Sequence, residues 1–148
     1  MFANNLLVAS EAYSRELLRF EQPPALCDTL TRPMAEEVNG NVYVRATATG
    51  ATTEKPLVVM SPAATESCLA TYTSLDAFRR GAPAFEKSGQ QLDLTPRSIF
   101  KGPDLGRYQL LRELPARPGN VTLPAPVREA LGWSESDAQT AGAFPARP

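Results

Sequence analysis

Adjacent carboxylates are the residues of this chain that could do acid–base chemistry. Glu36 and Glu37 are neighbours, and Glu135 lies close to Asp137. In polar segments we expect such pairs to be solvated. The chain has no histidine, which excludes histidine-dependent triads, Cys–His nucleophiles and imidazole metal sites. Glycine-rich phosphate loops are also absent, so the sequence predicts a protein that is not an enzyme and binds no cofactor or metal.

Cys27 and Cys68 are the only cysteines. They are far apart and belong to no CxxC motif, so we do not expect a structural zinc. We interpret them as buried thiols of a cytoplasmic protein, and spacing alone leaves a disulfide open as the alternative. Residues 1–22 lack a basic start and an uninterrupted apolar stretch, which predicts neither a signal peptide nor a membrane span.

The late part of the chain has the residue types of a protein-binding surface. Basic residues outnumber acidic ones between residues 97 and 128. The acidic residues are Asp104 and Glu113, and the basic ones are Arg97, Lys101, Arg107, Arg112, Arg117 and Arg128. The simpler interpretation is a solvated face. Because guanidinium groups pair well with carboxylates and arginine is enriched at interfaces, we predict that Arg107, Arg112 and Arg117 contact a protein partner. The whole chain has a net charge of −1, which argues against nucleic acid or an anionic membrane as partner.

Residues 57–80 form the unit around which the other predicted elements are arranged. Residues 57–60 are an apolar run of strand length and residues 68–72 alternate, so we expect two neighbouring antiparallel strands. Thr73 or Ser74 is suited to cap a following helix that Gly81 ends. Leu75 and Phe78 should face one core from that helix.

Two helices are predicted before this unit. Apolar residues recur at steps of three and four between residues 6 and 20, which places them on one helix face: Leu6, Ala9, Tyr13, Leu17 and Phe20. Pro23 and Pro24 end that helix, and a second short helix is expected through Leu26 and Leu30.

Strands and short helices make up the remaining prediction. We expect the first strand at residues 42–46, another at 91–94, a helical turn at 95–100, and a strand at 107–114 that would also suit a helix. A last helix should reach Leu131 and end at Gly132. The predicted fold is α+β, with N-terminal helices packed on a small mixed or antiparallel sheet and short intervening helices. Residues 1–133 should form one domain, and residues 134–148 a mobile tail.

Several of these segments, taken in order, resemble the N-terminal domain of the SseB family of bacterial proteins. The resemblance covers roughly residues 5–131 and depends most on a strand that ends in an aromatic-Thr-Ser phrase followed at once by a helix. The segments are the N-terminal helical pair, Val42-Tyr43-Val44, residues 57–60, LATYTSLDAF at residues 69–78, Leu92-Asp93-Leu94, and Leu123-Pro124 before a short helix.

This resemblance implies an α+β binding module without an established catalytic centre, of a kind that recurs among secretion-associated and toxin-neutralising proteins. We therefore predict a non-enzymatic protein-binding module, an immunity or adaptor protein that neutralises or docks a secreted toxin or effector. A small-molecule-sensing regulatory domain linked to amino-acid metabolism is the alternative, suggested by the serine-sensitivity phenotype behind the family name.

Overall fold

The computed structural model describes residues 1–46, 54–63, 65–111 and 124–132. Short strands dominate this part of the chain: β1 (Phe2–Ala3), β2 (Leu6–Ala9), β3 (Leu18–Phe20), β4 (Val38–Asn39), β5 (Val42–Arg45), β6 (Val58–Met60), β7 (Ala70–Tyr72), β8 (Gln90–Leu92), β9 (Phe100–Gly102) and β10 (Arg107–Leu110). The helices are α1 (Leu75–Gly81), α2 (Pro96–Ile99) and α3 (Ala125–Leu131), with 3₁₀ turns at Pro24–Leu26 and Pro103–Leu105.

Parallel pairing joins the first strands to strands much later in the chain. β1 pairs with β4, β2 with β5 and β3 with β6, each in parallel. β8 extends the second pair into a parallel sheet with the order β2-β5-β8, and β7 joins β6 in antiparallel fashion. β9 and β10 form a separate antiparallel hairpin.

The sheet β2-β5-β8 lies in the middle of the molecule, with apolar residues on both faces. On one face Tyr43 belongs to the main core, which includes Val58, Phe78 and Phe85. On the other face Val42 and Val44 pack with Ile99 of α2, and residues of the β9–β10 hairpin cover them. Strands buried on both faces are apolar at successive positions, which explains the composition of β2 and β5.

The prediction of helices packed on one small sheet is wrong. Ten strands in four small sheets account for most of the regular structure in the described residues. The predicted first helix is instead β2, a turn at Ser10–Tyr13 and β3. The spacing of its apolar residues matched a helix by coincidence, because Leu6 and Leu7 each serve a different face of the same strand. Pairing with β5 and β6 outweighs local propensity here.

Two further expectations need correction. Only a 3₁₀ turn forms where the second N-terminal helix was expected, and residues 42–45 form the fifth strand rather than the first. Most strand pairs within the described residues are parallel, because the first three strands lie beside strands that follow a long connection rather than a tight turn.

The predicted unit at residues 57–80 is confirmed. β6 and β7 are antiparallel neighbours, with Val58 opposite Tyr72 and Met60 opposite Ala70. The Ser74 hydroxyl accepts a hydrogen bond from the Ala77 amide at the start of α1. Leu75 and Phe78 are buried in the main core. The strand at residues 107–110 and the final helix closed by Gly132 also form as expected, whereas the predicted tail lies outside the described residues.

The interpretation of the two cysteines as free thiols is wrong, because Cys27 and Cys68 form a disulfide with a Cα–Cα distance of 6.2 Å. The bond connects the loop after the first 3₁₀ turn to the connection between β6 and β7. None of the described helices has the length and apolar character needed to cross a membrane.

Candidate protein-binding surface

The β9–β10 hairpin and the residues next to it carry both exposed apolar side chains and basic residues. Gly106 takes the left-handed conformation, with φ 71°, between the 3₁₀ turn and β10, and a residue with a side chain would be strained there. The tight connection holds Leu105 at the tip, where it is 75% exposed. Tyr108 and Leu111 are 58% and 50% exposed.

The opposite side of the hairpin anchors it to the central sheet. Phe100 and Leu110 pack against the cluster of Val42, Val44 and Ile99. The ring of Tyr108 meets the ring of Phe100 edge to face, with 5.4 Å between centroids. Such a contact favours one orientation of the exposed tyrosine.

The charges of the hairpin leave an excess of cations. Arg97 forms an ion pair with Asp104 at 2.9 Å, which neutralises the acid of this segment. Lys101 and Arg107 are exposed and form no ion pair within the described residues. We call the set Lys101, Leu105, Arg107, Tyr108 and Leu111 the hairpin surface. The exposed apolar side chains and positive charge of this set suit a protein surface that carries carboxylates.

Of the three arginines predicted to bind a partner, only Arg107 can be placed. It lies exposed on β10, beside Tyr108. Arg112 and Arg117 lie outside the described residues, so their position relative to Arg107 stays a prediction. The sequence interpretation missed Leu105 and Tyr108. Gly102-Pro103 and Gly106 were the available signal, because such residues mark a tight turn and connecting segments run over the surface.

Two grooves lie on either side of β2. The larger, which we call the hairpin groove, has a volume of about 680 Å³ and is lined by residues of β2, α2 and the hairpin, among them Leu6, Val8, Phe100 and Tyr108. The smaller, which we call the Tyr13 groove, has a volume of about 350 Å³ and is lined by Leu7, Val8, Ala9, Ser10, Tyr13 and Leu17. Val8 and Ser10 border both grooves, so the outer edge of β2 separates them.

A second cluster of polar residues is buried, around Glu86. Oε1 of Glu86 accepts hydrogen bonds from the Asn41 side-chain amide at 2.5 Å and from the Tyr43 hydroxyl at 2.7 Å. Oε2 accepts from the Asn41 backbone at 3.3 Å. Oδ1 of Asn41 in turn accepts two bonds from Asn5, next to β2. The cluster therefore connects the start of β2, the start of β5 and the loop before β8.

Burial and hydrogen bonding have opposite effects on the pKa of Glu86. Burial raises the pKa of Glu86 above its ordinary value, and the bonds from Asn41 and Tyr43 oppose part of that rise. Burial and the neighbouring carboxyl group also raise the pKa of Tyr43. A buried acid with a raised pKa can act as a catalyst. Glu86 is 0% exposed and lines neither groove, so we assign it to the support of the fold.

In the described part of the chain, no group of three or more histidine, cysteine or acidic residues is placed to hold a metal ion. Comparison with known proteins gave no match to any family model, curated protein or solved structure. The resemblance to the SseB family therefore stays a prediction from the sequence.

Proposed function

We propose that this protein is a non-enzymatic binding module of the immunity or adaptor type, which docks a toxin or secreted effector through the hairpin surface. The observation that carries the proposal is the exposure of Leu105, Tyr108 and Leu111 on a hairpin that packs against the central sheet. Isolated exposed apolar residues are common, but three on one hairpin, together with two cations that form no ion pair within the described residues, have the residue types that interfaces favour.

The charge of the hairpin surface indicates the kind of partner. Lys101 and Arg107 would attract a folded protein with an acidic face and would orient it during the encounter. Tyr108 would supply the rigid, partly polar anchor that interfaces favour. The three arginines predicted from the sequence belong to the same proposal, with Arg107 as the member that the described residues place.

We also propose that the protein works in an oxidising compartment rather than in the cytoplasm that the sequence predicted. The Cys27–Cys68 disulfide supports this location, because reducing systems keep most cytoplasmic thiols unpaired. A toxin or effector that crosses or enters such a compartment would meet the module there.

Photo-crosslinking in the native host tests the docking surface. Benzoylphenylalanine in place of Tyr108 should crosslink to a protein that co-purifies in stoichiometric amount at mild salt. The same group in place of Met34, which is 59% exposed at another part of the chain, should not crosslink to that protein. Absence of a stoichiometric partner, or equal crosslinking from both positions, would reject the proposal.

Charge reversal then tests the role of the cations with the purified partner. Arg107→Glu should slow association about tenfold at low salt and weaken its salt dependence, because steering by charge is lost. Arg32→Glu is the matched control, since Arg32 is also exposed and the change in net charge is the same. Equal association rates for the two variants would remove Arg107 from the interface.

A further inference from the structure

β2 forms an edge of the central sheet, and its outer side has the hydrogen-bonding groups of an unpaired strand. The Val42 amide donates to the Asn5 carbonyl at 2.8 Å, so the backbone groups of Asn5 and Leu7 face β5. Backbone groups alternate in direction along a strand, and those of Leu6 and Val8 therefore point outward. Among the described residues no strand pairs with this edge, and no backbone hydrogen bond from a loop reaches Leu6 or Val8.

The grooves beside this edge match the alternation of side chains in an added strand. Successive side chains of a strand point to opposite faces of its sheet. A strand placed next to β2 would direct one set into the hairpin groove, beside Leu6 and Tyr108. The other set would enter the Tyr13 groove, beside Leu7 and Leu17. Both sets would therefore meet apolar side chains of this protein, and the set in the hairpin groove would also lie near Glu11, Arg97 and Asp104.

Two cations lie near the end of β2, and each bonds to backbone oxygens. The Arg45 guanidinium lies 5.9 Å from the centroid of the Tyr13 ring and donates to the carbonyls of Pro56 and Arg15. The Lys55 ammonium donates to the carbonyl of Glu11. Neither forms an ion pair with a carboxylate in the described part of the chain. Glu16 attracts the Arg45 guanidinium from a longer distance, and a carboxylate of an incoming chain would add a direct partner for both cations.

The geometry points to β-strand addition at β2: the edge binds an extended segment of a partner protein that has a short apolar run and a carboxylate at one end. The inference rests on the proposed function, because its occupant is a protein partner. It adds the mode of recognition, in which backbone bonds to Leu6 and Val8 provide affinity and the two grooves select side chains.

Synthetic octapeptides with a central Val-Leu-Val-Leu run provide the probe. An Asp-Asp pair stands at one end or the other, and a Lys-Lys pair replaces it in the control peptides. One of the Asp peptides should bind to the wild-type protein about tenfold more tightly than its Lys counterpart, as measured by fluorescence anisotropy. Equal affinity of Asp and Lys peptides, or no binding, would overturn the inference.

N-methylation of the bound peptide tests backbone pairing directly. In a bound strand, every second amide of the central run faces β2 and the others face away. Methylation of the amides that face β2 should weaken binding about tenfold or more, whereas methylation of the others should leave affinity nearly unchanged. A uniform response along the peptide would overturn strand addition. This scan uses the wild-type protein and needs no variant to fold.

A pair of variants tests the same bonds from the protein side. Val8→Pro removes an amide that faces outward and leaves the bonds to β5 in place, and proline is tolerated at such edge positions. Val8→Ala is the control for the lost side chain. Val8→Pro should bind the peptide about tenfold more weakly than Val8→Ala, and equal affinities would contradict strand addition.

Two other outcomes distinguish a partner protein from a second copy of this chain, and strand addition from the proposed function. Dimerisation that increases with concentration and is abolished by Val8→Pro would assign the edge to a second copy of this chain and overturn the inference. Failure of all the peptides to bind, with partner capture still dependent on Arg107, would reject strand addition and leave the proposed function in place. Loss of partner capture as well would reject both.

Discussion

At the scale of single residues, Glu86 gives the protein a dependence of stability on pH. Its carboxyl group is fully buried, and its neighbours are Tyr43 and Asn41, with Arg79 bonded to the Glu86 backbone carbonyl at 2.7 Å. Burial raises the pKa of Glu86, so the folded protein holds this proton more tightly than the unfolded chain. Raising the pH from 4.5 through the raised pKa should therefore lower the free energy of unfolding.

Glu86→Gln should remove this component, because glutamine does not titrate. As the pH rises above 4.5, the urea midpoint of the wild type should fall relative to the midpoint of Glu86→Gln. Glu36→Gln, at an exposed acid, controls for the loss of one carboxylate. Parallel profiles for wild type and Glu86→Gln would contradict a raised pKa.

Glu16 and Glu21 should change the free energy of unfolding at pH values below 4.5. A backbone hydrogen bond lowers the pKa of Glu16, and the bond from Arg19 lowers the pKa of Glu21. Their contribution to stability is present above 4.5 and is lost as the pH falls through the lowered pKa values. The effect of Glu86 should therefore be separable from theirs.

At the scale of elements, α1 is fixed by the aromatic residues beneath it. Phe78 is 0% exposed and lies between Tyr72, at 5.1 Å between ring centroids, and Phe85, at 6.3 Å. Phe78→Ala should lower the free energy of unfolding by about 3–5 kcal/mol, because it leaves a cavity in the main core. Leu105→Ala, at an exposed residue, should change it by less than about 0.5 kcal/mol. A small effect at Phe78, measured by urea unfolding, would contradict its place in the core.

The same elements show how far the sequence could predict the fold. The β6–β7–α1 unit was predictable because its pairing is local and Ser74 provides a cap next to the helix. β2 and β3 were not, because their partners lie 36 or more positions away. β2 is also apolar at successive positions and so has no period of two, and the alternation of β3 covers only three residues. In the candidate site, the sequence identified Arg107 by its charge. It could not identify Leu105 and Tyr108, because their exposure depends on how the hairpin packs against the central sheet through Phe100.

At the scale of the whole molecule, the disulfide joins two segments 41 residues apart. Replacing both cysteines with alanine should lower the free energy of unfolding by about 4 kcal/mol, because the unfolded chain regains the entropy of a closed loop of that length. Urea unfolding of the wild type in reducing buffer should give a similar loss, and the double variant should not respond to reductant. A wild-type midpoint that is unchanged by full reduction would contradict this contribution.

The parallel pairing of the first strands also determines when the protein can begin to fold during synthesis. Asn5 and Asn41, which bond to each other where β2 meets β5, are 36 residues apart. At ordinary elongation rates β2 leaves the ribosome roughly 2 to 7 s before its partner strand does. For that time its apolar residues have no sheet to join and are open to chaperones. We expect ribosome-held chains that stop before β5 to be cleaved readily within β2 by added protease, and chains that include β8 to be protected.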